Sequence, residues 1–414
     1  MNTPVRRDIE DLTPAELASY EHAVKCLHDS GEYGRLARIH NVVSENPPSG
    51  GEHHSELFLP WHRSLLHQFE QALRIADPRR PAPDLTIPYW DWSRFPRGGK
   101  RYPDPFLRED SPLFDELRKQ EPPARGTTPD EITTLVTLYP SWEDFAGPPK
   151  GSSGLPHGVI EAPRHDAMHA DFVRGTMKFP STAANDPLFW SFHSFLDKQF
   201  ARWQRIHGTA PQCLDCELRG FPGTTVGDVV DVEALGYGYE FTPEELELRA
   251  DLSRARREML DLTRSAGPIG LDHGVARSTW WGGEPGGGEL LRARLIAELE
   301  TPESVLIHAY LHPASIGDDR RLSPEFSVGQ FAVWIDPAHH GHGHDGGAVV
   351  TSLPMTVAAQ RLLQGRDGQE WCVSLRASFP LASDEHGTAV RRSATHATVS
   401  IRALQIELLM GEPR

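Results

Sequence analysis

This sequence has no long apolar run, no excess of basic over acidic residues and few cysteines, and each of these features excludes a class of protein. No stretch of the 414 residues approaches the roughly 18–20 consecutive apolar residues that a membrane-spanning helix needs. Acidic residues outnumber basic ones by 58 to 42, and the formal net charge of −16 leaves no basic excess to neutralise phosphates. We therefore expect neither a membrane nor a nucleic acid as a partner.

The four cysteines are too few to form a scaffold of disulfide bonds. Two of them make a lone Cys213-x-x-Cys216 motif with no second pair to complete a zinc site; free thiols are the favoured interpretation, and a local disulfide is the alternative. The first ten residues include Arg6-Arg7 but lack the apolar segment of a Sec or twin-arginine signal. We expect a cytoplasmic protein, or one exported together with a partner.

Length and periodicity predict two domains. A chain of 414 residues is too long for one typical core. Residues 1–281 show mainly helical periodicity, including a capping box at Thr242 that predicts a helix to about Ser265. The glycine-rich stretch 282–289 has the composition of a flexible linker. Residues 290–414 alternate with a period of two, which predicts a small β-sandwich.

The first chemical signal is a pair of histidines followed by a third on another helix. His165 and His169 have the spacing that places two side chains on one face of a helix. His193 lies on the apolar face of a helix that begins at Asp186-Pro187, an N-cap residue followed by proline. Three imidazoles with neither cysteine nor carboxylate beside them suit zinc or copper. By spacing alone, a chance pair of surface histidines is an equally good interpretation.

A second trio upstream favours the metal. His40 ends an apolar run, and His53 precedes His62, at the start of a further helix, by nine residues. Two helices and one loop again supply three imidazoles, so the chain is expected to bind two metal ions, in one dinuclear site. His54 is an alternative ligand to His53, although the nine-residue spacing favours His53.

The residues around these histidines carry a family resemblance. They are Phe58-Leu59-Pro60-Trp61-His62-Arg63, Phe69-Glu70, Pro88-Tyr89-Trp90-Asp91-Trp92 and Asn185-Asp186-Pro187-Leu188-Phe189-Trp190, followed by His193 and Asp197. These motifs resemble the copper A and copper B regions of the tyrosinase, catechol oxidase and polyphenol oxidase family. The resemblance covers roughly residues 10–240.

The resemblance implies a mainly α fold, a tyrosinase-like helical bundle holding a type-3 dicopper centre, followed by a smaller C-terminal β-sandwich domain. Such a centre binds O2 and oxidises an ortho-diphenol or ortho-aminophenol to a quinone or quinone imine. The β-sandwich is similar to the domain that some polyphenol oxidases carry beside the bundle and that covers the site in latent forms. By position, the resemblance assigns copper A to His40, His53 and His62, and copper B to His165, His169 and His193.

Three further residues are expected around the copper ligands. Asp197, one turn after His193, either orients a ligand or is an ordinary helix carboxylate. Glu70, two turns after His62, is expected in a structural salt bridge. Phe192 stands where many relatives have a histidine beside the last copper B ligand, so an apolar ring replaces a hydrogen-bonding one.

The residues for proton transfer depart from the family pattern. Asp166 directly follows His165, where tyrosinases often have asparagine; in those relatives that asparagine and an upstream glutamate are proposed to hold the water that deprotonates a monophenol. Asp166 is therefore a candidate base. Glu161 is a weaker candidate because it lies closer to His165 than the pattern expects. Gly51 occupies the position of the thioether-forming cysteine of some relatives.

We expect an oxidase of ortho-diphenols or ortho-aminophenols. The alternatives are a true tyrosinase that also hydroxylates monophenols, an O2 carrier of the hemocyanin type, and a dinuclear zinc hydrolase. The hydrolase ranks last because no bridging carboxylate accompanies the trios at ligand spacing. The histidine run His339–His344 is interpreted as a solvated loop; weak copper binding that helps to load the site, beside a copper-delivery partner, is the alternative.

Overall fold

The computed structural model gives the fold of most of the chain. The residues described are 3–45, 52–76, 85–94, 99–118, 127–150, 152, 155–208, 211–248, 250, 252–263, 269–270, 275–280, 290–301, 305–317, 321–333, 349–363, 370–378, 382–383, 389–390 and 398–411. The predicted linker 282–289 and the histidine run His339–His344 lie outside these residues.

The chain divides into two compact units. The first consists of Met1–Val136, Pro140–Gly151 and Asp171–Glu247. The second consists of Thr137–Tyr139, Ser152–Ala170 and Leu248–Arg414. The second unit therefore takes in a short internal segment, residues 152–170, that contains two of the candidate ligands, His165 and His169.

The first unit is helical, as predicted. Its helices are α1 (Pro14–Ser30), α2 (Glu32–Glu45), α3 (Phe58–Ala76), α4 (Pro129–Leu138, whose last two residues belong to the second unit), α5 (Trp142–Ala146), α6 (Leu188–His207) and α7 (Pro243–Leu246). Short 3-10 turns occupy Ile9–Asp11, Asp104–Phe106, Gly175–Lys178 and Ala183–Asn185. Within the described part of the chain, no helix is both long and apolar enough to cross a membrane.

Local sequence explains where the first helix begins and ends. Thr13 and Glu16 form a reciprocal capping box, in which each side chain bonds the other residue's backbone N–H. Gly31 ends α1 in the left-handed conformation, with φ of 79°, which costs glycine little because it has no Cβ. Further along, α3 packs on α6, where the rings of Phe69 and Trp190 stack with centroids 3.7 Å apart.

A buried network of charges ties α3 and α6 to the N-terminal segment. The Asp197 carboxylate of α6 accepts from Arg63 Nε at 2.5 Å and from Arg6 Nη1 at 3.0 Å. Arg6 Nε also donates to Glu70 of α3 at 2.7 Å, and the Tyr237 hydroxyl donates to Asp197 at 2.8 Å. The salt bridge predicted for Glu70 is confirmed. Because α3 carries His62 and α6 carries His193, this network fixes the helices that position both histidines.

The second unit contains the β-sheets. Its strands are β1 (Arg256–Asp261), β2 (Ile269–Gly270), β3 (Val275–Trp280), β4 (Leu290–Glu300), β5 (Val305–Pro313), β6 (Ser327–Val333), β7 (Val349–Pro354), β8 (Trp371–Ser378), β9 (Ala382–Ser383), β10 (Ala389–Val390) and β11 (Thr398–Met410). A 3-10 turn (Pro324–Phe326) precedes β6, and helix α8 (Thr356–Leu363) follows β7.

The two larger sheets form the sandwich that the alternating pattern predicts. One has the order β1-β11-β4-β7 with β2 paired to β11, the other has the order β3-β8-β5-β6, and β9 pairs with β10. All pairs are antiparallel. Both sheets contribute side chains to one buried core, among them Leu295 and Ile406 from the first sheet and Ile307 and Leu375 from the second.

Two local predictions were wrong. The capping box at Thr242 forms, but α7 ends at Leu246, and β1 begins at Arg256 inside the predicted helix. Residues of β1 pair with β11 along their whole length, so sheet pairing outweighs the local helix preference. Cys213 and Cys216, for which free thiols were favoured, are joined in a disulfide, because a turn bonded from Cys216 N to Cys213 O brings them together.

Candidate metal centre

Three histidines of the first unit converge on one point. His40 comes from α2, His62 from α3, and His53 from the turn that precedes α3. One ring nitrogen of each lies within 4.8 Å of the corresponding nitrogens of the other two. His40 and His62 are buried, and His53 is half-buried. This arrangement offers three neutral nitrogen donors to one metal ion.

The hydrogen bond of His62 fixes which of its nitrogens faces the metal position. His62 Nδ1 lies 2.9 Å from the Phe58 carbonyl oxygen, one turn earlier in α3. A carbonyl only accepts, so Nδ1 carries the proton and Nε2 keeps its lone pair for a metal. These three imidazole nitrogens therefore suit copper or zinc, as the sequence predicts.

A close backbone contact holds the turn that carries His53. The Glu56 N–H donates to the Pro148 carbonyl oxygen at 2.8 Å. Gly147 has φ of 137°, and a Cβ placed there would lie 2.9 Å from the carbonyl carbon of Ser55. Only glycine allows the segment after α5 to approach the turn this closely.

An ion pair adds a second restraint to the same turn. Lys150 Nζ lies 2.8 Å from the carboxylate of Glu52, the residue before His53. The Glu52 side chain is 1% exposed, whereas 35% of the Lys150 side chain is exposed. Sequence reasoning missed Lys150 because it lies about one hundred residues beyond the turn that it contacts, and no local pattern marks it.

His54, the alternative to His53, points elsewhere in this turn. Its backbone has φ of 58°, in the left-handed region, and its ring centroid lies 6.4 Å from that of His53. The group of ring nitrogens that includes His40 and His62 contains His53, not His54.

His193 lies beside the first trio. Its ring stacks on that of His62, with centroids 4.3 Å apart and an interplanar angle of 7°. Its ring centroid is 6.4 Å from that of His40. The neighbouring Phe192 is fully buried and stacks on Trp92 with ring centroids 5.4 Å apart. The residue beside His193 is therefore a packed apolar ring and not a hydrogen-bonding one.

The second unit supplies the His165–His169 pair. The sequence predicts an α-helix here, but residues Glu161–His165 and Met168–Val173 are π-helical, with Asp166 and Ala167 between them. Both rings are buried, and their centroids are 4.5 Å apart in an edge-to-face arrangement. Single π-helical turns occur often at functional sites.

The two candidate proton-transfer residues lie next to this pair. His165 Nδ1 donates to Asp166 Oδ1 at 2.8 Å, which leaves His165 Nε2 for a metal. Glu161 is fully buried, and one of its carboxylate oxygens lies within 4.8 Å of a carboxylate oxygen of Asp166. Asp166 thus orients the candidate ligand His165, and Glu161 lies close to Asp166.

The chain is similar in sequence to known tyrosinases. A model of the common central domain of tyrosinase matches residues 30–119 and 107–206. The chain is 30% identical over 269 residues to a tyrosinase of Streptomyces antibioticus, which covers 55% of this chain and 90% of that protein. It is 32% identical over 217 residues to a putative tyrosinase-like protein, tyr-3, of Caenorhabditis elegans. That alignment covers 47% of this chain but only 30% of the longer relative.

Solved structures share this fold. Latent apple tyrosinase has a TM-score of 0.63 at 18% identity, covering 99% of this chain and 98% of that one. A functional unit of octopus hemocyanin has a TM-score of 0.56 at 17% identity, covering 96% of this chain and 99% of that one. At these identities the likeness establishes a helical core with a smaller C-terminal sheet region, and it does not separate an oxidase from a carrier.

Proposed function

Because the chain belongs to the tyrosinase family of dicopper oxidoreductases, we propose that it oxidises ortho-diphenols or ortho-aminophenols with O2, to quinones or quinone imines. The convergence of His40, His53 and His62 carries the proposed metal centre, and the 30% identity to a tyrosinase favours an oxidase over an O2 carrier. The choice of substrate rests on Asp166, which is bonded to His165 and stands where tyrosinases often have asparagine.

Two sets of three histidines are the proposed ligands. Each set supplies only imidazole nitrogens, which suit copper in both of its oxidation states and leave coordination positions open for O2. The stacking of His193 on His62 supports a pair of ions held close together. The proposed sets are His40, His53 and His62 for one copper and His165, His169 and His193 for the other.

The side chains around the proposed ligands orient and shield them. His62 and His165 each donate a hydrogen bond from Nδ1, which fixes the ring and directs Nε2 to the metal. Phe58 and Phe189 are fully buried, and Phe189 lies 4.7 Å from His40 and 4.2 Å from His193 between ring centroids. These apolar rings exclude water from the first trio and from His193.

Bound copper supplies the exchange of electrons between substrate and O2. Each ortho-diphenol gives up two electrons and two protons to become a quinone. Two such oxidations provide the four electrons and four protons that reduce one O2 to two water molecules, so no further reductant is required.

The histidine assignment is tested by removing one ligand from each set. We expect His62→Ala and His193→Ala each to lose one bound copper and to abolish catechol oxidation. His67→Ala is the matched control on α3, outside the proposed sets, and should keep both ions. Metal analysis and O2 uptake are the measurements. Full copper content and activity in either ligand variant would refute the assignment.

A true tyrosinase is the second candidate, favoured by the close approach of the Glu161 and Asp166 carboxylates. If these groups deprotonate a monophenol, Asp166→Asn should lower the monophenol rate more than the diphenol rate. If Asp166 acts only through the orientation of His165, as we propose, the unmodified protein should not oxidise the monophenol, and Asp166→Asn should lower the diphenol rate alone. Steady-state rates with the two substrate classes distinguish these roles.

A further inference from the structure

We propose that the β-sandwich of the second unit holds the copper B histidine segment in its binding conformation, with Arg164 as a positioning residue. The inference rests on the proposed function, because it takes His165 and His169 as copper ligands. It concerns only contacts within the second unit.

The histidine segment lies where the two sheets end. Among the residues that the structure describes, β7 is the last strand of the sheet β1-β11-β4-β7, and β6 is the last strand of the sheet β3-β8-β5-β6. The π-helical turn Glu161–His165 packs against both of these edge strands. An edge strand presents unpaired backbone groups that proteins commonly cover with another element. Here the element that packs against both edge strands contains a candidate copper ligand.

Specific bonds join the segment to β7. Arg164, the residue before His165, is 7% exposed and donates from Nη2 to the Pro354 carbonyl oxygen at 3.2 Å. From the strand side, the Ser352 hydroxyl donates to the His157 carbonyl oxygen at 3.4 Å. One bond acts within the π-helical turn and the other acts before it, so together they hold the segment against β7.

The acceptor of the Arg164 bond is itself held in place by the sheet. Pro354 pairs with Arg294 of β4, and Leu353 pairs with Leu295 beside it. Leu353 is fully buried in the shared core. The bond from Arg164 therefore fixes the residue next to a proposed copper ligand relative to the paired strands β4 and β7.

The segment needs this support because its own conformation is weakly stabilised. π-helical turns are rare and persist only where their surroundings favour them. Pro163, within the turn, has no backbone N–H to donate to a helical hydrogen bond. Val159 and Ile160, just before the turn, are fully buried, so packing helps to anchor this end.

This interpretation differs from that of a removable cover. A cover can be displaced while the copper ligands stay in place, and its loss increases access to the site. A sandwich that holds the ligand segment cannot be loosened without weakening the binding of one copper. The two interpretations therefore predict opposite effects of weakening the contact at β7.

The experiment measures stepwise copper binding to the full chain by competition with a calibrated chelator. We expect Arg164→Gln to bind the first copper like the unmodified protein and the second copper about 10-fold to 100-fold more weakly. Arg361→Gln is the matched control, since Arg361 of α8 also donates to a backbone carbonyl, that of Glu325, at 3.2 Å, and neither residue belongs to the histidine segment. It should leave both affinities unchanged.

Two further variants keep the test decisive if Arg164→Gln folds poorly. Arg164→Lys retains the charge and a single ammonium group that can donate, and should recover part of the affinity for the second copper. Ser352→Ala removes the bond from the strand side and should weaken the second copper by a smaller factor. Thermal unfolding of the apoproteins verifies that the variants fold, and apo stability close to that of Arg361→Gln is expected for Ser352→Ala.

A reference variant separates the two possible failures. His169→Ala should lose the second copper altogether; if it keeps two, the proposed function fails and the inference with it. If His169→Ala loses one copper while Arg164→Gln, Arg164→Lys and Ser352→Ala all bind two copper ions as tightly as the Arg361→Gln control does, the inference alone is overturned.

Discussion

Asp197 is almost completely buried, and its charge is maintained by the groups around it. Burial alone would raise the pKa of the carboxyl group, but the guanidinium groups of Arg63 and Arg6 outweigh it and hold the pKa below its ordinary value. The hydroxyl of Tyr237 donates to the same carboxylate. The family motif marks Asp197, but the sequence could not show that Arg6, almost two hundred residues earlier, is its partner.

Removing this charge should destabilise the helical unit. We expect Asp197→Asn to lower the free energy of unfolding by about 3 kcal/mol, because it removes the carboxylate that pairs with Arg63 and leaves Arg6 with only its second partner, Glu70. Asp29→Asn, which breaks the exposed Lys25–Asp29 pair, is the control and should cost much less, because solvent screens that pair. Calorimetric unfolding of both variants makes the comparison, and equal losses would contradict the role of the network.

The same carboxylate predicts a pH dependence with a defined sign. Its pKa is lower in the folded protein than in the unfolded chain, where an aspartate has a pKa of about 3.9. Its contribution is therefore fully present above that value and is lost as the pH falls further, towards the folded pKa. The difference in Tm between the unmodified protein and Asp197→Asn should shrink below about pH 4. A constant difference would count against this assignment.

Among the structural elements, the close packing of the segment after α5 on the His53 turn has a direct test. A methyl group at Gly147 would meet the Ser55 carbonyl, and the backbone there has φ of 137°. We expect Gly147→Ala to cost about 1–3 kcal/mol and to weaken the binding of one copper by displacing His53. Unfolding and copper titration are the measurements.

Gly208 provides the control for that substitution. It also has a positive φ, of 61°, where it ends α6, but a Cβ there would meet nothing within 4 Å. Gly208→Ala should cost about 1 kcal/mol through strain alone and leave both copper affinities unchanged. Equal copper affinities in the two variants would contradict the role of the Gly147 contact.

Periodicity and capping located the helices that carry the metal-site residues, because their signals are local. The helix predicted to begin near His62 and the helix predicted to carry His193 both formed, as α3 and α6. The π-helical turns around His165 and the strand that begins at Arg256 did not follow from the sequence, since packing against distant strands decides both. Free thiols were favoured over the Cys213–Cys216 disulfide because the turn that closes the disulfide has no strong sequence signature.

At the scale of the whole molecule, sequence and structure agree on a helical part and a β-sandwich, and differ on how the chain is shared between them. The sequence assigns residues 152–170 to the helical domain by their position in the chain. In the structure these residues belong to the second unit, where Arg164 is bonded to β7. Chain order could not reveal this, because the contact joins residues 190 positions apart.

The most direct test of the account is O2 uptake by the full chain loaded with two equivalents of copper. The substrates are catechol, ortho-aminophenol and a monophenol, and His62→Ala treated in the same way is the control. We predict immediate uptake with the first two substrates, none with the monophenol, and none with any substrate in the control. Absence of uptake with all three would contradict an oxidase and favour a carrier, and immediate uptake with the monophenol would instead identify a true tyrosinase.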